Sequence, residues 1–192
     1  MGYQKLGVSQ NPPLLKKSNN LQVDLSAIAK GYAVDQLASL LVAKGINNYL
    51  VEIGGELKLS GNKPNGESWK IAIEAPLTTE RSAQHVLPIS NIAMATSGDY
   101  RNYFEENGVR YSHTINPVTG APINHALVSV TVLHSSCADA DALATALMVM
   151  GDKKGVEFAE RHDLAAYFLI KVQEGTEFES VATAKFDALL KK

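Results

Sequence analysis

The chain has 192 residues, with 18 basic against 20 acidic side chains and a formal net charge of −2. Hydrophobic residues make up 45% and charged residues 20%, which is ordinary globular usage and excludes a disordered or fibrous protein. The near-neutral balance, with no basic run beyond Lys16-Lys17, leaves no electrostatic footprint for nucleic acid.

The only cysteine, Cys137, excludes an internal disulfide framework and any multi-cysteine zinc site. No stretch approaches the roughly 18 consecutive apolar residues of a membrane span. The opening MGYQKLGVSQNPPLL lacks the charged-then-apolar layout of a secretory signal. A soluble chain folding as one domain over residues 1–192 is the expectation.

In chain order, Asn11-Pro12-Pro13 punctuates the opening. Ala27, Ile28, Val34, Leu37, Ala38, Leu41 and Val42 then recur at helical spacing, which predicts a helix over residues 24–44. Asp24 or Ser26 can cap its start and Gly45 stops it. Strands follow at 48–53, 56–60, 69–74 and 86–89, broken into hairpins by glycines and by Pro64-Asn65-Gly66. Gly54-Gly55 reads as a bulge or tight turn. A further strand is expected at 91–96, a short helix at 99–104, and a strand ending near His113. The alternation of Val128, Val130 and Val132 marks a strand at 127–134. Helices at 138–150 and 153–162 are separated near Gly151, and 165–172 is apolar enough for a buried strand. Meandering strands with separate helices predict an α+β fold with antiparallel or mixed sheets rather than a doubly wound one.

Four segments carry chemistry. In ADALATA, residues 140–146, Asp141 and Thr145 lie one helical turn apart on a face otherwise made of small apolar groups. A carboxylate buried alone is costly, and a cation is one remedy; a carboxylate with a hydroxyl suits magnesium or calcium better than zinc. The plainer use has Asp141 capping the helix while Thr145 bonds its own backbone. In VDLSAIAKGY, residues 23–32, a helix N-terminus with Lys30 one turn in can hold a phosphate, although the GxxxxGK[ST] spacing is absent. Ser97-Gly98 in ATSGDY can open a short helix as an anion-binding nest, or simply turn the chain. In YSHTINPVTGAP, residues 111–122, Asn116-Pro117 and Thr119-Gly120 make a rigid turn beside His113. That histidine can serve as base, acid, ligand or surface residue.

The wording and order of these segments resemble the ApbE family of FAD:protein FMN transferases. The blocks are VDLSAIAKGYAVD, NYLVEIGGELKLSG with WKIAIEAP, ATSGDY, YSHTINPVTGAPI with SVTVL, and ADALATALMVMG. They run from about Val8 to at least Gly151. The resemblance implies an ApbE-like, T-fold-like domain lacking its N-terminal part, because family members are considerably longer. It implies magnesium-dependent transfer of FMN from FAD to a threonine or serine hydroxyl of an acceptor flavoprotein, with release of AMP. The alternatives are an FAD- or nucleotide-binding fragment without transfer, or an FAD pyrophosphatase.

Residue by residue, the resemblance makes Asp141, Thr145 and the Ala27 carbonyl magnesium ligands. Asp24, Lys30 and Ile115 become FAD contacts, and His113 assists proton transfer from the acceptor hydroxyl. Gly54, Gly55, Ser97 and Gly98 would let backbone approach the ligand. One departure is Asn116, where many members have Asp; a turn accepts either. The resemblance also implies work on the periplasmic side of the bacterial inner membrane, tethered by a segment this chain does not contain. A homodimer is compatible with it.

Overall fold

The computed structural model describes residues 2–74, 83–98, 103–106, 109–172 and 177–191. A single 3-10 turn at Tyr3–Lys5 leads into β1 (Leu6–Gln10), which pairs antiparallel with β2 (Pro13–Lys17). This hairpin was not foreseen, because nearly all its residues are exposed and no buried face gives it a pattern. Next come α1 (Ala29–Ala43), β3 (Tyr49–Ile53) and β4 (Glu56–Ser60). They are followed by β5 (Trp69–Glu74), β6 (Ala83–Ile89) and β7 (Ile92–Gly98). After β8 (Tyr103–Glu106), β9 (Val109–Ser112) and β10 (Leu127–His134) runs the long helix α2 (Cys137–Arg161). The chain ends in β11 (Ala165–Lys171), β12 (Phe178–Ala182) and α3 (Ala184–Leu190).

Six strands form one sheet in the order β12-β11-β10-β7-β4-β3, every neighbouring pair antiparallel. The α+β expectation holds. Strand alternation sorts two cores. Val130, Val132, Ala166 and Phe168 meet Ala140, Ala144, Leu147 and Met148 of α2 on one face. Leu133, Tyr167 and Leu169 meet Ile73, Leu87, Ile89 and Phe186 on the other. Because both faces are covered, β11 reads as a near-continuous apolar run.

Several expectations are corrected. The first helix starts at Ala29, not residue 24, and its N-cap Ile28 makes no side-chain cap bond. Asp24 instead accepts hydrogen bonds from the Ser26 hydroxyl and, at 2.6 Å, from the Ser26 backbone N–H, closing a local Asx turn. The buried stripe of α1 is narrower than its apolar pattern: Gly31, Val34 and Ala38 are buried, whereas Ile28, Leu37 and Val42 are exposed. β4 and β5 form no hairpin; β5 pairs only with β6. Of the short helix expected at 99–104, residues 99–102 lie outside the described residues, and Tyr103 and Phe104 belong to strand β8. β12 and α3 were not foreseen. The break near Gly151 is present: φ 81° and ψ −176° there interrupt α2.

The contact between α1 and α2 depends on one residue without a side chain. A Cβ on Gly31 would overlap the Cys137 carbonyl and approach the Ala138 Cα. Gly31→Ala is therefore expected to force the helices apart and cost about 3 kcal/mol. Urea denaturation checks this; a variant as stable as the parent would show that the crossing is not tight.

Candidate functional site

A cleft of about 1140 Å³ opens where the first turn of α1 and residues 141–154 of α2 meet the end of β7 and the segment after β9. It exists because β4 and β7 part company. Their pairing ends at Leu57↔Met94, so Ala95 to Gly98 continue without a β4 partner. Glu56 stands at the corner so formed. Asp24, Ala27, Lys30, Ser97, Gly98, His113, Ile115, Asp141 and Thr145 all line this one cleft.

Asp141 organises it. The carboxylate is buried at 3% exposure, and Oδ2 accepts a 3.0 Å hydrogen bond from the Gly31 backbone N–H. That N–H belongs to the first turn of α1, where helical amides have no partner of their own. The cap expected from Asp24 or Ser26 thus comes from a residue 110 positions away, whose charge also suits the helix dipole. Among the described residues, no group donates to Oδ1. One turn on, the Thr145 hydroxyl shares a 3.1 Å hydrogen bond with Ser97 Oγ.

Ser97 and Gly98 correct the nest expectation. They end strand β7 and pair with Val130 and Ser129 of β10, as strand rather than helix residues, and residues 99–102 lie outside the described residues. Gly54 and Gly55 do not line the cleft. They form the two-residue turn joining β3 to β4, with φ of +60° and +102°, as a type I′ hairpin turn requires. Gly54 still matters indirectly: a Cβ there would come within 3.2 Å of Lys30 Cδ.

Sequence reasoning passed over Glu56. Its polar position in ELKLS reads as the solvent face of an alternating strand. That face of β4 is turned toward α1: Lys58 pairs with Asp35 at 2.7 Å and Glu56 with Lys30 at 2.6 Å. Glu56 is 2% exposed, and its Oε2 has no hydrogen-bond partner. Burial pushes its carboxyl above the usual range, Lys30 opposes this, and the neighbouring Asp141 charge adds to it. The only available signal was charge matching between Lys30 and Asp35 on the helix and Glu56 and Lys58 on the strand.

Elsewhere in the site, the Ser26 hydroxyl and backbone N–H hold the Asp24 carboxyl below its ordinary value. Burial, with nearby carboxylates, pushes the Cys137 thiol up to about 12, so it stays neutral and unreactive. His113 is exposed and follows the buried Ser112, whose hydroxyl accepts from the Thr114 N–H at 3.1 Å. The Asn116 side chain accepts from Val118 N–H at 2.9 Å, and Gly120 N–H bonds the Asn116 carbonyl at 2.8 Å, making the expected tight turn.

Among the described residues, no three His, Cys, Asp or Glu side chains gather as a metal cage. Within the cleft, the Asp141 carboxylate, the Thr145 hydroxyl and the Ala27 segment lie on neighbouring stretches of α2 and the approach to α1. That all-oxygen set fits a hard cation such as magnesium, which keeps several waters and leans on substrate phosphates. It suits zinc or another soft-ligand metal poorly.

Fold and cleft together define an α+β protein with a cleft beside the first turn of α1 and the flank of α2. The chain belongs to the ApbE family, whose model matches residues 1–168. It is 49% identical to the FAD:protein FMN transferase of Vibrio cholerae, covering 100% of this chain and 56% of that one. It is 43% identical to the protein of the same name in Escherichia coli K12, over 98% of this chain and 54% of that one. Among solved structures, the flavinyl transferase ApbE of Pseudomonas stutzeri superposes with a TM-score of 0.86 at 46% identity. That match covers 100% of this chain and 58% of the other. The flavin transferase ApbE of Vibrio cholerae gives a TM-score of 0.87 at 46% identity, covering 99% and 59%. The chain thus spans little more than half the length of the relatives it matches. No helix of the described residues is long and apolar enough to cross a membrane.

Proposed function

We propose that this chain carries the cation- and pyrophosphate-binding part of an FAD:protein FMN transferase, moving FMN from FAD to a threonine or serine hydroxyl of an acceptor flavoprotein. The observation that carries the reading is the meeting of Asp141, Thr145, Ala27 and Lys30 in one cleft. The relatives' names supply the substrate and the acceptor class.

In this reading Asp141, Thr145 and the Ala27 carbonyl hold magnesium. When bound, the cation neutralises pyrophosphate oxygens and the charge that develops on the departing phosphate. Lys30 faces the pyrophosphate from the first turn of α1, and Asp24 and Ile115 contact the rest of FAD. His113 takes the proton of the acceptor hydroxyl as its oxygen bonds to the FMN-side phosphorus. The bond from that phosphorus to the bridging oxygen breaks, and AMP leaves with that oxygen and the electron pair. The working compartment is the periplasmic side of the bacterial inner membrane.

Incubation of the chain with FAD, magnesium and an acceptor flavoprotein tests this. Covalent flavin fluorescence on the acceptor, with AMP released in equal amount, is the expected result. A second reading is an FAD-binding part without transfer. An FAD-induced rise in melting temperature with neither AMP nor labelled acceptor selects that reading.

A further inference from the structure

Lys30 has a choice of carboxylates. The residue after it, Gly31, donates its backbone N–H to Asp141 at 3.0 Å, so the lysine begins within a few ångströms of that carboxylate. Its flexible four-carbon stem can turn toward Asp141 or toward β4. In the structure it turns to β4, where Nζ lies 2.6 Å from Glu56 Oε1. Two features favour that direction. Gly54, with no side chain, leaves the lysine stem room over the β3–β4 turn. Glu56 is 2% exposed, and without Lys30 it would be a buried carboxylate with neither oxygen satisfied.

We propose that Glu56 is a positioning residue that holds Lys30 away from Asp141, leaving the Asp141 oxygen free for a divalent cation. This rests on the metal reading above and adds a reason for the otherwise unexplained buried glutamate. Lys30 and the cation would compete for one carboxylate, and an ammonium on Asp141 Oδ1 would cancel the charge that attracts the ion. Glu56 removes the competition while leaving Lys30, 44% exposed, facing the cleft. The arrangement separates two positive charges that a pyrophosphate must meet together.

The test is a double-substitution cycle read by Mn(II) binding to the full chain without FAD, using electron paramagnetic resonance of the free ion. Glu56→Gln keeps the shape and removes the charge, and is expected to weaken Mn(II) binding about tenfold. In a Lys30→Met background the same change is expected to have no effect, because no ammonium remains to occupy Asp141. An equal loss in both backgrounds would mean that Glu56 acts only through its field on the ion, and overturns the proposal. So does unchanged binding in Glu56→Gln. Failure of the parent chain to bind Mn(II) at all overturns the metal reading, and this inference with it. Thermal melting reports whether each variant folds; if Glu56→Gln does not, Glu56→Asp, which retracts the charge from Lys30, is read by the same criteria.

Discussion

Asp141→Ala is expected to abolish cation binding and magnesium-dependent transfer, and Asp141→Asn is expected to do so with far less damage to the fold. The two variants differ because this carboxylate does two things with two oxygens. Oδ2 accepts from the Gly31 N–H, capping α1 from α2, while Oδ1 has no donor among the described residues and the residue lines the cleft. Alanine removes both functions and strands a buried amide, at a cost of about 1–3 kcal/mol. Asparagine can present its carbonyl oxygen to Gly31 and keep the cap. Its amide nitrogen then points where a cation would sit, with no charge to attract one. Mn(II) titration and urea denaturation of both variants separate the roles. Loss of metal binding in Asp141→Asn at near-parent stability supports the ligand assignment. Parent-like Mn(II) affinity in that variant would remove Asp141 from the metal site.

That double role shows where reading the sequence succeeds and where it stops. Strands β4, β5 and β10 have the expected bounds, because each carries an alternating or continuous apolar pattern dictated by the two faces of the sheet. The break of α2 at Gly151 and the turn at Gly54-Gly55 were also legible, since positive φ favours glycine. The start of α1 was not. Local capping residues were present at Asp24 and Ser26, yet the free amide of the first turn is met by a residue far along the chain, which no local pattern encodes. Glu56 was hidden for a related reason. A strand's polar positions look the same whether they face water or a helix bearing the opposite charge. β12 and α3 are short, and each buries too few side chains to show a period: among the residues of α3 only Phe186 is buried. For the site, spacing put Asp141 and Thr145 on one face, but only the fold brings the first helix, β7 and the His113 segment to the same cleft.

His113→Ala is expected to slow FMN transfer about 10²–10⁴-fold, the usual contribution of a positioned base, while FAD affinity stays close to that of the parent. The geometry supports a variant that folds. His113 is exposed, and the backbone after it is held by hydrogen bonds of its neighbours. Ser112 before it is buried, and the Thr114 N–H and carbonyl after it are taken by Ser112 Oγ and the Ile123 N–H. Ile115 then bridges to Pro122 across the turn. Truncating the ring leaves those bonds in place. Separating binding from chemistry distinguishes a base from a binding group. A lost base lowers the single-turnover rate at unchanged FAD affinity, whereas a lost FAD contact raises KM. Fluorescence titration with FAD and single-turnover transfer measure the two separately. A large loss of FAD affinity at unchanged single-turnover rate would make His113 a binding residue. A collapse in melting temperature would make it a packing one.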